Sequence, residues 1–273
     1  MTTHLRIIVF LAAVVAVVPC QAQDEPSTAA PAVAPALTDA PLDIRQVITQ
    51  TSWSDYSAEM SMEVQRYGSS RVSTKEMSVK VKQDQSGDQH LFMIFKEPAN
   101  MKGTAFLAHS MKDRSDQWYV YVRTLRRVKR APPSPENFML RDFLSLYLQK
   151  PRPEMYSYTD QGPATVDGRP CRILEGRAVD DKTTVMTAYT RIVHYVDPAD
   201  KLIVKTEFFG KGDRLVRVQK VTRTTRVNGI VLPLTYESDD KEEKVVARVT
   251  MHGITLDSGI PDHLFSVRHL KTL

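Results

Sequence analysis

Apolar and polar residues alternate along most of this chain. Tyr56, Ala58, Met60, Met62 and Val64 fall on one side of such a run, with Glu59, Ser61 and Glu63 on the other. Met77, Val79 and Val81 alternate in the same way with Ser78, Lys80 and Lys82. A period of two puts successive side chains on opposite faces, so both runs predict half-buried strands. Leu91 to Phe95 is apolar throughout, as expected of a strand covered on both faces. Thr104–His109 and Trp118–Val122 continue the series.

Two stretches break the alternation. Leu42 to Trp53 carries Leu42, Val47 and Ile48 at helical spacing, with Asp39 or Thr38 as a cap. Asn137 to Gln149 places Phe138, Leu140, Phe143, Leu144, Tyr147 and Leu148 on a helical stripe, between Pro-rich residues and Pro151. Asp167-Gly168 and Asn228-Gly229 are two-residue hairpin signals. Asp197–Asp200 and Gly210–Asp213 are looser turns. The count is about eleven strands with two or three helices. Strand runs with inserted helices predict an α+β fold, an antiparallel sheet curled around helices.

The N-terminus differs from this body. Residues 1–22 have the layout of a secretory signal: His4 and Arg6, twelve apolar positions from Ile7 to Val18, then Pro19 and Cys20-Gln21-Ala22 before a cut after Ala22. Twelve apolar positions fall short of the roughly 20 needed to span a membrane. A lipid anchor on Cys20 is the alternative, set against Pro19 immediately before it. Residues 23–41 are rich in Pro and Ala and lack aromatics, which predicts a semi-extended tether. The folded domain is expected over 42–273. Removing the signal takes away one cation, so the net charge of +5 becomes +4. It also leaves Cys171 as the single cysteine, expected as a small buried hydrophobe and unable to form an internal disulfide.

Motifs for catalysis are missing from the sequence. There is no phosphate-binding glycine loop and no GxSxG elbow. His109 and Ser110 are adjacent on a strand, so they point to opposite faces and cannot form a nucleophile–base pair. His263 and His269 are the only close histidines, at a helix-to-strand junction, without the carboxylates or cysteines a metal site would add. Asp239, Asp240, Glu242 and Glu243 sit at a hairpin tip and are expected to be solvated. The same expectation holds for Lys211, Arg214, Arg217, Lys220, Arg223 and Arg226, because a period of three alternates faces on a strand. The expectation is therefore no enzyme, no cofactor and no metal.

One basic run is denser. Arg123, Arg126, Arg127, Lys129 and Arg130 place five cations within eight residues, and no acid occurs from Gln117 to Pro135. Arg123, Arg127 and Lys129 would face one way along a strand, Arg126 and Arg130 the other. Cations on both faces forbid a central strand and suit a sheet edge or the rim of an opening. Such an edge is either protection against aggregation or a contact for lipid headgroups or an acidic protein. A secreted chain has no call on nucleic acid.

The order of short motifs carries a resemblance. Phe95-Lys-Glu-Pro98, Met101–Leu107, Trp118-Tyr-Val-Tyr121, Arg126–Arg130 and Asn137-Phe-Met139 are followed by Val166-Asp-Gly168, Cys171–Glu175, Tyr195–Pro198, Val227-Asn-Gly229 with Pro233, and Leu264-Phe-Ser266 before Leu270. This ordered set, spanning essentially 42–273, resembles the LolA-like outer-membrane lipoprotein-sorting family of Gram-negative bacteria. Leu140-Arg141-Asp142 departs from the small-residue stretch usual there.

The resemblance implies an unclosed antiparallel β half-barrel whose concave face is lidded by helices. It implies a periplasmic carrier of lipid or lipoprotein acyl chains, a monomer, with an RND-type exporter as a partner. Cavity candidates are Met60, Met62, Phe92, Ile94, Phe106, Tyr119, Phe138 and Phe143. Arg123, Arg126, Arg127, Lys129 and Arg130 are the headgroup or partner contacts. Burying a sixteen-carbon chain is worth roughly 10 kcal/mol at about 0.8 kcal/mol per CH₂, enough for capture if a cavity exists. The rival expectation keeps the fold but fills its interior, leaving an assembly module that docks an envelope transporter.

Overall fold

Alternating runs become long antiparallel strands because each can bury one face while its backbone groups pair with two neighbours. The computed structural model describes residues 41–48, 53–84, 86–111, 116–131 and 154–273, all within one unit, Pro35–Leu273. In chain order the strands are β1 (Asp55–Arg66), β2 (Val72–Gln83), β3 (Gln89–Glu97), β4 (Ala105–Ser110), β5 (Gln117–Val122), β6 (Arg127–Ala131), β7 (Tyr156–Val166), β8 (Arg169–Ala178), β9 (Arg191–Asp197), β10 (Leu202–Phe209), β11 (Leu215–Val227), β12 (Ile230–Asp240) and β13 (Val245–Leu256).

They form one 13-stranded sheet in the order β6-β5-β4-β3-β2-β1-β13-β12-β11-β10-β9-β8-β7. The sheet is unclosed, roughly a half-barrel, and consecutive strands β6 and β7 lie at its two opposite edges. The strand total exceeds the expected eleven. Edge strands carry little apolar alternation, and alternation is what a count from sequence rests on. Helices are minor. The expected helix from Leu42 shrinks to α1 (Ile44–Ile48) among the described residues, and Trp53 is not helical. The helix expected over 137–149 lies outside the described residues, and with it the lid.

Two short helices went unforeseen. In α2 (Asp181–Thr187), the Asp180 carboxylate accepts from the Thr183 N–H at 2.7 Å, and Ala188 closes the helix in the left-handed region at φ 66°. In α3 (Val267–Leu270), the Ser266 side chain accepts from the His269 N–H at 3.1 Å. A single 3₁₀ turn, Asp262–Phe265, precedes α3, so the expected helix-to-strand junction between His263 and His269 joins two helical turns instead. Both Asp-Gly and Asn-Gly hairpins form as expected. Asp167 and Gly168 take φ 49° and 78°, Asn228 and Gly229 φ 50° and 80°, as a mirror-image turn requires at both central positions.

Side chains sort onto two faces. The front carries Met60, Met62, Met77, Met93, Phe95, Phe106, Tyr236, Val249 and Met251 in one cluster. On the back, Phe92, Ala105, Leu107 and Tyr121 pack under Ile260, Phe265 and Leu270 of the C-terminal segment. Strand β3 is therefore covered on both sides, as its unbroken apolar run predicts. Helix α1 lies over the front of β8 and β9, where Ile44 and Val47 meet Leu174 and Val196. The C-terminal segment is tied down by Asp55, at 2 % exposure. Its carboxylate accepts from the N–H groups of Ser258, Gly259 and Ile260 at 2.8, 2.9 and 3.1 Å and from the Ser258 hydroxyl at 3.0 Å.

Candidate functional site

The methionine cluster is a product of register. Met60 sits opposite Met77 on β2 and Met251 on β13, Met62 opposite Val249, and Met93 opposite Phe106. Directly paired residues share a face with Cβ atoms about 4.5–5.5 Å apart. Five of the 11 methionines thus meet in one buried patch with Phe95 and Phe106. Their unbranched thioethers can repack around irregular apolar shapes.

Of the expected cavity residues, Met60, Met62 and Phe106 come together here. Phe92, Ile94 and Tyr119 do not. They are one position out of phase with Met93 and Val120, so they lie on the back and pack into the cluster closed by the C-terminal segment. One slot cannot be lined by both sets, because a strand exchanges faces at every residue. Phe138 and Phe143 lie outside the described residues. Met77, Met93 and Met251 belong to the patch and were missed, although their alternation was visible.

The basic run sits on the sheet edge, as expected of charge on both faces. Its geometry is nevertheless not one strand. Arg123 starts a 3₁₀ turn, and Arg126 ends it in the left-handed region at φ 48°. Arg127, Lys129 and Arg130 belong to edge strand β6. Lys129 pairs with Val120 and Arg127 with Val122, so both extend the front face, while Arg130 pairs with Tyr119 on the back. All five cations are exposed.

A family model described as that of an uncharacterized protein matches residues 87–272. A DUF1329 family protein from Desulfovibrio piger is 26% identical with a TM-score of 0.74, over 83% of this chain and 94% of that one. A putative outer membrane lipoprotein-sorting protein domain from Vibrio parahaemolyticus gives a TM-score of 0.75 at 23% identity, over 85% and 98%. The LolA superfamily protein NE2245 from Nitrosomonas europaea gives 0.60 at 14% identity, over 84% and 99%. The chain belongs to the matched family, and its fold is LolA-like. No curated protein matches it.

The other half of this LolA-like front face sets polar and charged side chains among smaller apolar clusters. Arg217 and Asp240 are opposite each other on β11 and β12, at 1 % and 3 % exposure, with Nη2 donating to Oδ2 at 3.1 Å. Both were expected to be solvated. Their place on the covered face, in phase with Gln219 and Ser238, overturns that, and a bulge follows directly. Pairing steps from Phe208–Arg217 to Phe209–Leu215, leaving Val216 as the extra residue, and Val216 and Arg217 are both buried. A second pair, Arg172 and Asp160, stands at 2.7 Å on β8 and β7. Burial pushes the Asp160 carboxyl up, but Arg172 and the N–H groups of Leu42 and Gly162 outweigh it and hold it below the usual range. His194 is buried, its ring stacked on Tyr158, and burial pushes its pKa down to about 4.

Cys171 of the LolA-like domain is buried and free, as its apolar setting predicts, and burial raises its pKa. His263 and His269 do meet, with ring centroids 6.0 Å apart, but among the described residues no group of three His, Cys, Asp or Glu is placed to hold a metal. Asp167, Arg169, Val204, Val221 and Arg223 help line a cavity of about 230 Å³. It is smaller than the roughly 300–1,000 Å³ of small-molecule sites and lies away from the methionines. Among the described residues no helix is long and apolar enough to cross a membrane.

Proposed function

We propose that this protein is a periplasmic, non-catalytic carrier that binds lipid or lipoprotein acyl chains on the methionine-lined front of its sheet. The supporting observation is the Met60–Met62–Met77–Met93–Met251 patch with Phe95 and Phe106 on a LolA-like sheet. An acyl chain needs apolar contact that adapts to its bends, and thioethers supply it. Residues 1–22 act as the export signal, 23–41 as a tether and 42–273 as the carrier domain. Arg127 and Lys129, on the front side of the basic edge, receive an anionic headgroup or an acidic surface of a membrane partner, an RND-type exporter in this reading. The protein works as a monomer and needs no cofactor or nucleic acid.

The deciding experiment is native mass spectrometry of purified protein, delipidated and then loaded with phospholipid or a lipopeptide. The carrier reading expects retained adducts that are lost in a Met62→Glu, Met77→Glu variant that still folds. No adduct at any loading overturns it. One observation favours a second reading: Met60 and Met62 are 0 % and 1 % exposed, as in a filled interior. A docking module for an envelope transporter would then pull down its partner without ever taking up lipid.

A further inference from the structure

Register places four polar side chains in one row across the front face. His194 on β9 is opposite Thr206 on β10, Thr206 opposite Gln219 on β11, and Gln219 opposite Ser238 on β12. The row continues into Ala247 on β13 and Val64 on β1, the margin of the methionine patch. With strands about 4.8 Å apart, His194 and Ser238 are separated by about 14 Å. All four are nearly enclosed, at 6, 7, 8 and 1 % exposure.

Enclosed polar atoms are normally hydrogen-bonded, and one left unpaired costs about 1–3 kcal/mol. His194 Nδ1 and Thr206 Oγ1 are paired at 2.9 Å. The other ring nitrogen of His194 and the Ser238 hydroxyl have no partner among the described residues. Both ends of the row therefore hold unused hydrogen-bonding capacity, on the same sheet face as the apolar patch. Charge is balanced around it. Arg217 is paired with Asp240 in the neighbouring row and Arg172 with Asp160 beyond. The row presents hydroxyl, amide and imidazole groups without net charge.

We propose that the row His194–Thr206–Gln219–Ser238 is a subsite for an uncharged polar head, an ester or hydroxyl group of the acylglycerol type, whose acyl chain lies across the methionine patch. This rests on the carrier reading and adds the class of ligand. Among the described residues the row itself holds no cation, and Arg217 beside it is already paired with Asp240, so a phosphate or free carboxylate would lose its water without compensation. A glycerol ester has hydroxyls that donate or accept and a carbonyl that accepts, so it can use the unpaired hydrogen-bonding groups of the row without burying a charge.

Binding of monopalmitoylglycerol, palmitate and palmitoyl lysophosphatidate to the full mature chain tests this, by displacement of a fluorescent acyl probe. All three share one chain and differ only in the head. The expected result is tightest binding of monopalmitoylglycerol. Thr206→Val and Ser238→Ala should each lower its affinity about 2–12-fold, the worth of one hydrogen bond, and leave palmitate affinity unchanged. Ser238→Ala removes a hydroxyl that has no partner, so its melting temperature should stay level or rise, which separates lost binding from lost folding. Equal binding of the three heads, preference for the phosphate, or variants without effect while palmitate still displaces the probe overturns the subsite alone. Failure of the probe itself to bind overturns the carrier reading, and the subsite with it.

Discussion

Asp55→Asn should release the C-terminal segment from the back of the sheet. The aspartate accepts four hydrogen bonds through two oxygens, two from Ser258 and one each from Gly259 and Ile260. Asparagine keeps one oxygen and presents an NH₂ where two donors converge. Two bonds to a charged acceptor are lost, each worth about 1.5–3 kcal/mol, so the cost is about 3–6 kcal/mol. For a domain of this size that lowers Tm by roughly 6–24 °C. Thermal melts followed by circular dichroism read the shift, and hydrogen exchange should show the amides of Ser258, Gly259 and Ile260 losing protection. Asp257→Asn is the control. That exposed carboxylate accepts from the Ser54 N–H and hydroxyl, with a smaller contribution from the Asp55 backbone, and should cost about 1 kcal/mol or less. Burial pushes the Asp55 carboxyl up, yet its donors outweigh burial and hold it below 3.8. Its contribution is therefore complete above the unfolded value and lost as pH falls through the lower folded one. The gap between wild type and variant should be constant from pH 7 to 5 and close below about pH 4. A Tm shift no larger than that of Asp257→Asn would refute the reasoning.

Further outcomes follow from the same packing. Arg217→Met leaves Asp240 enclosed without its 3.1 Å partner and should destabilise by about 3–5 kcal/mol in urea titrations, with part of the loss recovered in Arg217→Met, Asp240→Leu. Burial lowers the pKa of His109, against a contact to the Phe265 carbonyl that raises it, and burial with His263 and Lys80 lowers that of His269. The unfolded chain takes up these protons first, so stability should be level above about pH 7 and decline as pH falls below about 6.5. His109→Gln, His269→Gln should make that decline shallower, and the remainder belongs to buried His194, whose pKa burial also lowers. Cys171, enclosed at 0 % exposure, should resist thiol reagents in the native state and react at once in denaturant. The triple variant Arg127→Ser, Lys129→Ser, Arg130→Ser, on exposed edge positions, should melt within about 1 °C of wild type yet bind anionic vesicles several-fold more weakly.

Much of the architecture was legible in one dimension. Alternation names strands because a strand exchanges faces at every residue, and it named the front of β1 and β2 residue by residue. The unbroken run Leu91–Phe95 announced a strand covered twice. Asp-Gly and Asn-Gly marked hairpins because few residues accept positive φ at two successive positions. Charge on both faces of Arg127–Arg130 announced an edge. Other features had no local signature. Whether Phe92 or Met93 belongs to the front depends on what lies across each face, and only the C-terminal segment, more than 150 residues along the chain, decides it. Arg217 looks like any solvated lysine or arginine until its pairing with Phe208 and Asp240 places it on the covered face. The row from His194 to Ser238 is scattered over 45 positions of sequence. Pairing register alone assembles it, because residues on separate strands become neighbours only when hydrogen bonds between the strands set which stands opposite which.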